Sequence, residues 1–146
     1  MTRLLKFLTL SFLLLAGVAG SVFAVLNEAI SLSYDAAVPY VEEGFEVREE
    51  NWSGEGKSHE PKLIKHQLFR GNSYWFWMAT SIPGAISIVD IYDEMGNSVS
   101  IETFSKDGMS GASVLPPKTG VYFIRVEVQA EKKGSTIDWG LTYGYR

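Results

Sequence analysis

The sequence predicts an antiparallel all-β domain, a sandwich or a barrel, preceded by one short helix. After residue 60 the chain consists of short apolar or alternating segments separated by Gly, Asn, Asp and Pro, which is the pattern of such folds. Before residue 44 the apolar spacing is helical instead. Because the 146 residues include no cysteine, burial of apolar surface must stabilise the fold.

The N-terminus has the composition of a secretory signal peptide. Arg3 and Lys6 precede an apolar run over residues 7–19, and Ala24 is a small residue suited to the −1 position of a cut. We therefore expect a signal peptide over residues 1–24 and an exported mature protein, periplasmic or extracellular. The alternative is an uncleaved anchor, but the run is shorter than the ~20 residues that span a bilayer. No membrane span is expected after cleavage.

Charge and cysteine content narrow the class of partner. The chain carries 13 basic and 17 acidic residues, and removal of Arg3 and Lys6 leaves 11 basic against the same 17 acidic residues. An acidic protein is a poor partner for nucleic acid. The absence of cysteine excludes acylation of a thiol as an anchor and fits a bacterial envelope better than a eukaryotic secretory route.

Residues 25–43 are expected to form a helical lead-in that packs on the domain. Its apolar residues recur at three- and four-residue spacing: Leu26, Ile30, Tyr34, Ala37, Val38 and Val41. Pro39 predicts that the helix kinks or stops near residue 37 or 38. The alternative is an irregular segment that packs its apolar side on the domain.

The β domain is expected over residues 44–146. An alternating strand over 45–50 comes first, and the polar, Gly-rich stretch from Asn51 to Glu60 is predicted to be a loop. The later strands are predicted at 62–69, 73–80, 85–92, 98–104, 112–115, 121–128 and 136–143. Residues 121–128 alternate most cleanly, which makes this segment the best candidate for a central strand.

The connections also have sequence signals. Gly and Asn at 70–72 and at 93–97 predict hairpin links. Pro116 and Pro117 predict a loop that crosses an edge and feeds the next strand. The apolar phase slips between Ile88 and Val89, which predicts a β-bulge there.

Four segments together resemble the bacterial pre-peptidase C-terminal domain. They are an aromatic strand after a Gly-Asn turn (71–77), an Ile-Tyr-Asp-x-x-Gly-Asn hairpin (91–97), a Pro-x-x-Gly-x-Tyr-x-x-x-Val strand (117–126) and a closing strand (139–143). The resemblance covers roughly residues 60 to 146. It implies a jelly-roll-type antiparallel β-sandwich of about 7–8 strands that serves ligand or surface attachment without catalysis. That family is appended to secreted enzymes, whereas this chain is expected to carry a free-standing copy.

The sequence gives little support for catalysis, and the protein is expected not to be an enzyme. Only His59 and His66 could supply an imidazole base, and no Gly-x-Ser-x-Gly motif presents a serine. Two histidines without cysteine do not provide a zinc site. The adjacent glutamates of the lead-in and first strand are expected to be a solvated face.

Oxygen ligands for calcium cluster around one turn. Asp90, Asp93 and Asn97, with Glu94 beside them, could hold Ca²⁺ as loops of extracellular sandwiches do. The alternative is that Asp93 and Asn97 hydrogen-bond the turn backbone. No other cofactor is expected.

The segment Tyr74-Trp75-Phe76-Trp77-Met78 is apolar on both faces of a predicted strand. If alternate residues enter the core, Trp75 and Trp77 emerge together and form a platform for a sugar ring or a protein partner. The alternative is that the N-terminal helix or the 51–60 loop covers the two indoles as a second small core.

These observations favour a non-catalytic exported binding or attachment domain of the bacterial envelope or extracellular space, with an unknown protein or glycan partner. One alternative is a structural or protein-interaction module of the envelope. Another is a carbohydrate-binding accessory protein that uses the aromatic platform.

Overall fold

The computed structural model describes residues 28–146, so the predicted signal peptide lies outside the described residues. Helix α1 spans residues 28–41. It runs past the predicted stop near residue 37 and includes Pro39. No helix within 28–146 is long and apolar enough to cross a membrane.

The buried face of α1 differs from the predicted one. Small residues line it, namely Ala29, Ser33, Ala36 and Ala37, whereas Val38 and Val41 are 59% and 51% exposed. The reason is a close approach between α1 and the sheet beneath it, which leaves room for small side chains only.

Eight antiparallel strands follow, which confirms the predicted number and class. They are β1 Glu46–Lys57, β2 Lys62–Leu68, β3 Tyr74–Ala79, β4 Ile86–Tyr92, β5 Thr103–Lys106, β6 Met109–Val114, β7 Gly120–Gln129 and β8 Thr136–Tyr145. One sheet has the order β1-β8-β3-β6-β5 and the other the order β2-β7-β4. The two sheets stack as a jelly-roll-type β-sandwich, and α1 adds a third layer on the five-stranded sheet.

The predicted loop over 51–60 is wrong for most of its length. Strand β1 continues to Lys57, and residues 51–57 pair with β8 after a register shift between Val47 and Asn51. Apart from Trp52, which packs against the main core, this part of β1 is polar, as suits an edge strand paired on one side only. Gly54 leaves space for the Trp139 indole, since an added Cβ would lie 3.2 Å from Trp139 Cζ2.

The predicted bulge in β4 is also wrong. Its register with β7 is unbroken from Ile86 to Tyr92. Ser87, Val89 and Ile91 point into the sandwich and are buried, whereas Ile86 is 52% exposed on the outer face. The phase slip therefore reflects apolar residues placed on both faces of one regular strand.

The connections match the predictions in part. The 93–97 turn closes a hairpin-like bridge between Tyr92 and Ser98, with Gly96 at φ 83°. The 70–72 turn instead joins β2 to β3, which belong to different sheets, so it is not a hairpin link. Much of the strand predicted at 98–104 is irregular, and regular pairing begins at Thr103. The 115–119 loop crosses from one sheet to the other, as its prolines indicate.

The main core lies between the two sheets. Strand β7 is the middle strand of the three-stranded sheet, as predicted for 121–128. Its inward residues Tyr122, Ile124, Val126 and Val128 are 1%, 0%, 2% and 1% exposed. They pack against inward side chains of β3 and β8.

Candidate functional site

The structure buries the predicted aromatic platform. Trp75 and Trp77 are 6% and 0% exposed, and they form a second core with α1 and the residues after it. The Tyr40 ring lies 4.5 Å from Trp75 and 5.5 Å from Trp77, centroid to centroid. The two indoles are therefore covered by α1, as the alternative interpretation expects, and they offer no open platform. The reason is that the apolar outer face of β3 and the helix each need a surface to bury against.

The predicted calcium ligands are engaged by local donors. Asp93 Oδ1 accepts hydrogen bonds from the backbone N–H groups of Met95 and Asn97, each at 2.9 Å. These bonds, that of Asn97 first, hold the pKa of the Asp93 carboxyl below its usual value. This is the role that the turn interpretation assigns to Asp93 and Asn97.

Asp90 serves the segment that follows the turn. Its Oδ1 accepts hydrogen bonds from the Ser98 hydroxyl at 3.1 Å and from the Ser100 hydroxyl. Burial opposes ionisation of Asp90, but hydrogen bonds led by that of Ser100 outweigh it and lower the carboxyl pKa. Within residues 28–146 no three His, Asp or Glu side chains group closely enough to hold a metal ion. The calcium site stays a prediction.

The two histidines lie apart, and each has a structural environment. Ser58 Oγ lies 2.8 Å from His59 Nδ1, a pair that the sequence analysis did not consider. Ser58 is only 1% exposed, and its Oγ accepts the Ala130 N–H at 2.8 Å. Among residues 28–146 no carboxylate hydrogen-bonds to His59. The pair anchors the β1–β2 turn and lacks the third member and the access that nucleophilic catalysis needs.

His66 lies at the open side of the sandwich between aromatic rings. Its ring centroid is 5.1 Å from that of Trp52 and 4.8 Å from that of Tyr143. The Tyr143 hydroxyl donates to Glu50 Oε2 at 3.3 Å. Burial lowers the pKa of His66, and the charge of Glu50 offsets part of that effect. The cluster closes the gap between the edge strands β1 and β2.

The outer face of the three-stranded sheet holds a groove that the sequence analysis missed. We call it the outer groove. It encloses about 530 Å³ and is lined by Pro61, Leu63, Tyr92, Asp93, Glu94, Gly96, Phe123 and Arg125. Leu63 is 64% exposed. The available signal was the phase slip in β4, because apolar residues on both faces of a strand indicate a second apolar surface.

The walls of the outer groove have distinct origins. Tyr92 and Phe123 are direct cross-strand partners on β4 and β7, so both side chains project from the outer face of the sheet. The 93–97 turn rises beyond Tyr92 and adds the carboxylates of Asp93 and Glu94. Arg125 donates to Glu127 Oε1 at 3.3 Å. The groove can therefore bind an apolar group next to a polar one, but it brings together no nucleophile and base.

The outer face of one sheet is covered, whereas that of the other is open. Helix α1 covers the five-stranded sheet, where an added Cβ on Gly140 would lie 2.6 Å from the Ala29 carbonyl carbon. No element between residues 28 and 146 covers the outer groove in the same way, and Leu63 remains more than half exposed there. Ile86 is also more than half exposed, at the other end of β4. Exposed apolar side chains that line a groove are a candidate contact surface for another molecule.

Comparison with known proteins gives likenesses to solved structures. No protein-family model and no curated protein matches the chain. One similar solved structure is Aeromonas hydrophila PliG, a periplasmic lysozyme inhibitor of g-type lysozyme, with 11% sequence identity and a TM-score of 0.46. The match covers 71% of this chain and 90% of PliG. The resemblance to the pre-peptidase C-terminal domain stays a prediction.

Proposed function

We propose that this chain is a non-catalytic exported binding module that docks another protein on the outer groove. The observation that carries the proposal is the contrast between the two outer sheet faces. The five-stranded sheet is covered by α1 through buried Trp75 and Trp77, whereas the three-stranded sheet leaves Leu63 exposed beside the two aromatic side chains of the outer groove. Exposed apolar area next to aromatic side chains is typical of protein interfaces.

A protein partner fits better than a glycan. Sugar rings stack on open aromatic faces, and the two indoles that could form such a platform are buried. The outer groove offers instead a mixture of aliphatic side chains, two half-buried rings and charged rims. That composition matches an apolar interface core with a polar rim. The proposal also agrees with the attachment role that the resemblance implies.

Photo-crosslinking at the outer groove tests this function in the native host. A benzoylphenylalanine placed at Leu63 is expected to give one discrete adduct with another exported protein, and Phe123→Ser is expected to remove it. The matched control carries the crosslinker at Val38, which is 59% exposed on α1, and it should not form that adduct. An adduct that forms equally at position 38, or that survives Phe123→Ser, would exclude the outer groove as the docking site.

Export is tested separately by the mass of the protein recovered from the periplasm or the medium. Cleavage after Ala24 is expected to give a mature chain that begins at Val25. A full-length chain recovered only from the membrane fraction would instead support the uncleaved anchor. The two results do not depend on any partner.

A further inference from the structure

We infer that the partner presents a lysine or arginine side chain to the outer groove, against the wall formed by Asp93 and Glu94. This inference rests on the proposed function, because it names the chemistry of the partner for the same site. Its support comes from the charges at the groove, the apolar surface beside them and the rigidity of the turn.

The cations near this wall already have partners. Lys118 Nζ lies 3.0 Å from Glu94 Oε1, and Arg125 lies 3.3 Å from Glu127 Oε1. Within residues 28–146, Asp93 has no lysine or arginine nitrogen within 4.0 Å. The wall therefore carries negative charge beyond what its own neighbours compensate, and an incoming cation would reduce the repulsion there.

The opposite side of the outer groove has a different charge. Lys65 is the cross-strand partner of Phe123, which in turn pairs with Tyr92. Lys65 is thus two strands away from Tyr92, about 9–10 Å at normal strand spacing, and Arg125, on the same face of β7 as Phe123, lines the groove itself. A basic side chain of the partner is accordingly favoured on the Asp93 side only, which fixes one orientation for docking.

The surface between these two sides suits the stem of a long basic side chain. Tyr92 and Phe123 line the groove from adjacent strands, and Leu63 and Pro61 extend its apolar surface. Lysine and arginine bury their methylene groups on such surfaces while the charged end stays near water or a carboxylate. A guanidinium can also stack on an aromatic face.

The acidic wall is held in place before any partner arrives. The Asp93 carboxylate accepts two backbone N–H groups at 2.9 Å and the Asn97 side-chain amide at 3.4 Å. Gly96 adopts the left-handed conformation that the tight turn requires. Since little ordering is needed on binding, the wall is preorganised for a cation.

The net charge of the chain also favours a basic partner. With the predicted signal peptide removed, 17 acidic residues stand against 11 basic ones. A basic partner would be attracted over long range at low ionic strength. A second copy of this acidic chain would be repelled, and is the less suitable occupant.

The test uses the mature protein and two blocked tripeptides, acetyl-Leu-Arg-Leu-amide and the same peptide with neutral citrulline in place of arginine. Amide chemical shifts from NMR titration locate and quantify binding. We expect the arginine peptide to shift the amides of 93–96 and Phe123. We expect about fivefold weaker binding for the citrulline peptide and for the double variant Asp93→Asn with Glu94→Gln, given the strength of exposed ion pairs. The asparagine keeps the oxygen that accepts the turn hydrogen bonds.

Glu131→Gln is the matched control, because Glu131 is exposed beyond the opposite end of β7, and it should leave both affinities unchanged. Equal binding of the two peptides, no binding of either, or shifts confined to another face would overturn the inference. Dimerisation of the protein through the outer groove, detected by sedimentation, would also overturn the inference. The proposed function fails separately, when the adduct at position 63 persists in Phe123→Ser or forms equally at position 38.

Discussion

Gly140 on β8 lies directly beneath Ala29 of α1, so close that an added Cβ would sit 2.6 Å from the Ala29 carbonyl carbon and 2.7 Å from its oxygen. Backbone atoms cannot move aside as the end of a flexible side chain can. The contact therefore sets the distance between α1 and the five-stranded sheet, and with it the burial of the two indoles that the sequence offered as a platform.

Gly140→Ala is expected to push α1 away from the sheet and to destabilise the protein by about 1–3 kcal/mol, the usual range for overpacking. Urea unfolding measures the change in the free energy of unfolding. Gly120→Ala is the matched control, because an added Cβ there meets nothing within 4 Å. Equal stability of the two variants would show that α1 does not depend on this contact.

Trp77→Ala should cost about 3–5 kcal/mol of unfolding free energy, as large aromatic deletions in a core do. Trp77 is 0% exposed and packs against Phe45 with ring centroids 6.5 Å apart. Phe69→Ala, at a position that is 51% exposed, serves as the control and should change stability little. Native-like stability in Trp77→Ala, together with ready acrylamide quenching of the parent, would show that the indoles are exposed and would contradict the prediction.

Asp138 should be a strong determinant of stability, because the residue is only 2% exposed and its carboxylate accepts hydrogen bonds from neighbouring donors. It accepts the Thr80 hydroxyl at 2.9 Å and the Ser81 N–H at 3.0 Å. Asp138→Ala leaves these donors without their acceptor, at a cost of about 2–4 kcal/mol. Asp138→Asn keeps one oxygen and should cost less. Thermal unfolding compares both with Asp35→Ala on the exposed side of α1; a loss no larger than in that control would contradict the prediction.

His66 should make stability depend on pH on the acid side of neutrality. Burial lowers its pKa in the folded state, so below the ordinary value near 6.5 the unfolded chain binds more protons than the folded one. Stability is then fully present above that value and falls as the pH drops from it towards the lowered pKa. Urea unfolding between pH 7.5 and 5 should show this slope.

His66→Phe keeps a ring between Trp52 and Tyr143 and should flatten that part of the profile. His59→Gln, which removes the other histidine of the chain, should keep it. A slope that is the same in His66→Phe as in the parent would assign the pH dependence to other groups.

Local pattern was sufficient for much of the fold. Alternation identified β7 as a central strand, and its four inward residues are those that the period of two selects, although Glu127 on the other face is buried as well. Gly and Asn at 93–97 predicted a turn that the structure contains. These features are set by steric preferences of a few neighbouring residues, which a sequence carries directly.

The sequence-based predictions were wrong where a distant segment determined the structure of a local stretch. The polar stretch 51–57 lacks apolar alternation, yet it forms half of β1 because β8 supplies hydrogen bonds along one side. The slip between Ile88 and Val89 indicated a bulge, yet β4 is regular and places apolar residues on both faces. Neither partner is visible within a short window of sequence.

The amino-acid sequence is sufficient to predict the all-β class, the acidic charge, the turn at 93–97 and the presence of two indoles on one face of a strand. The covering of those indoles by α1 and the open outer groove on the other sheet follow from long-range packing. The physical reason is that composition fixes how much apolar surface must be buried, whereas packing between distant segments selects which surface is covered. At Gly140, the absence of a Cβ allows α1 to pack closely on the five-stranded sheet.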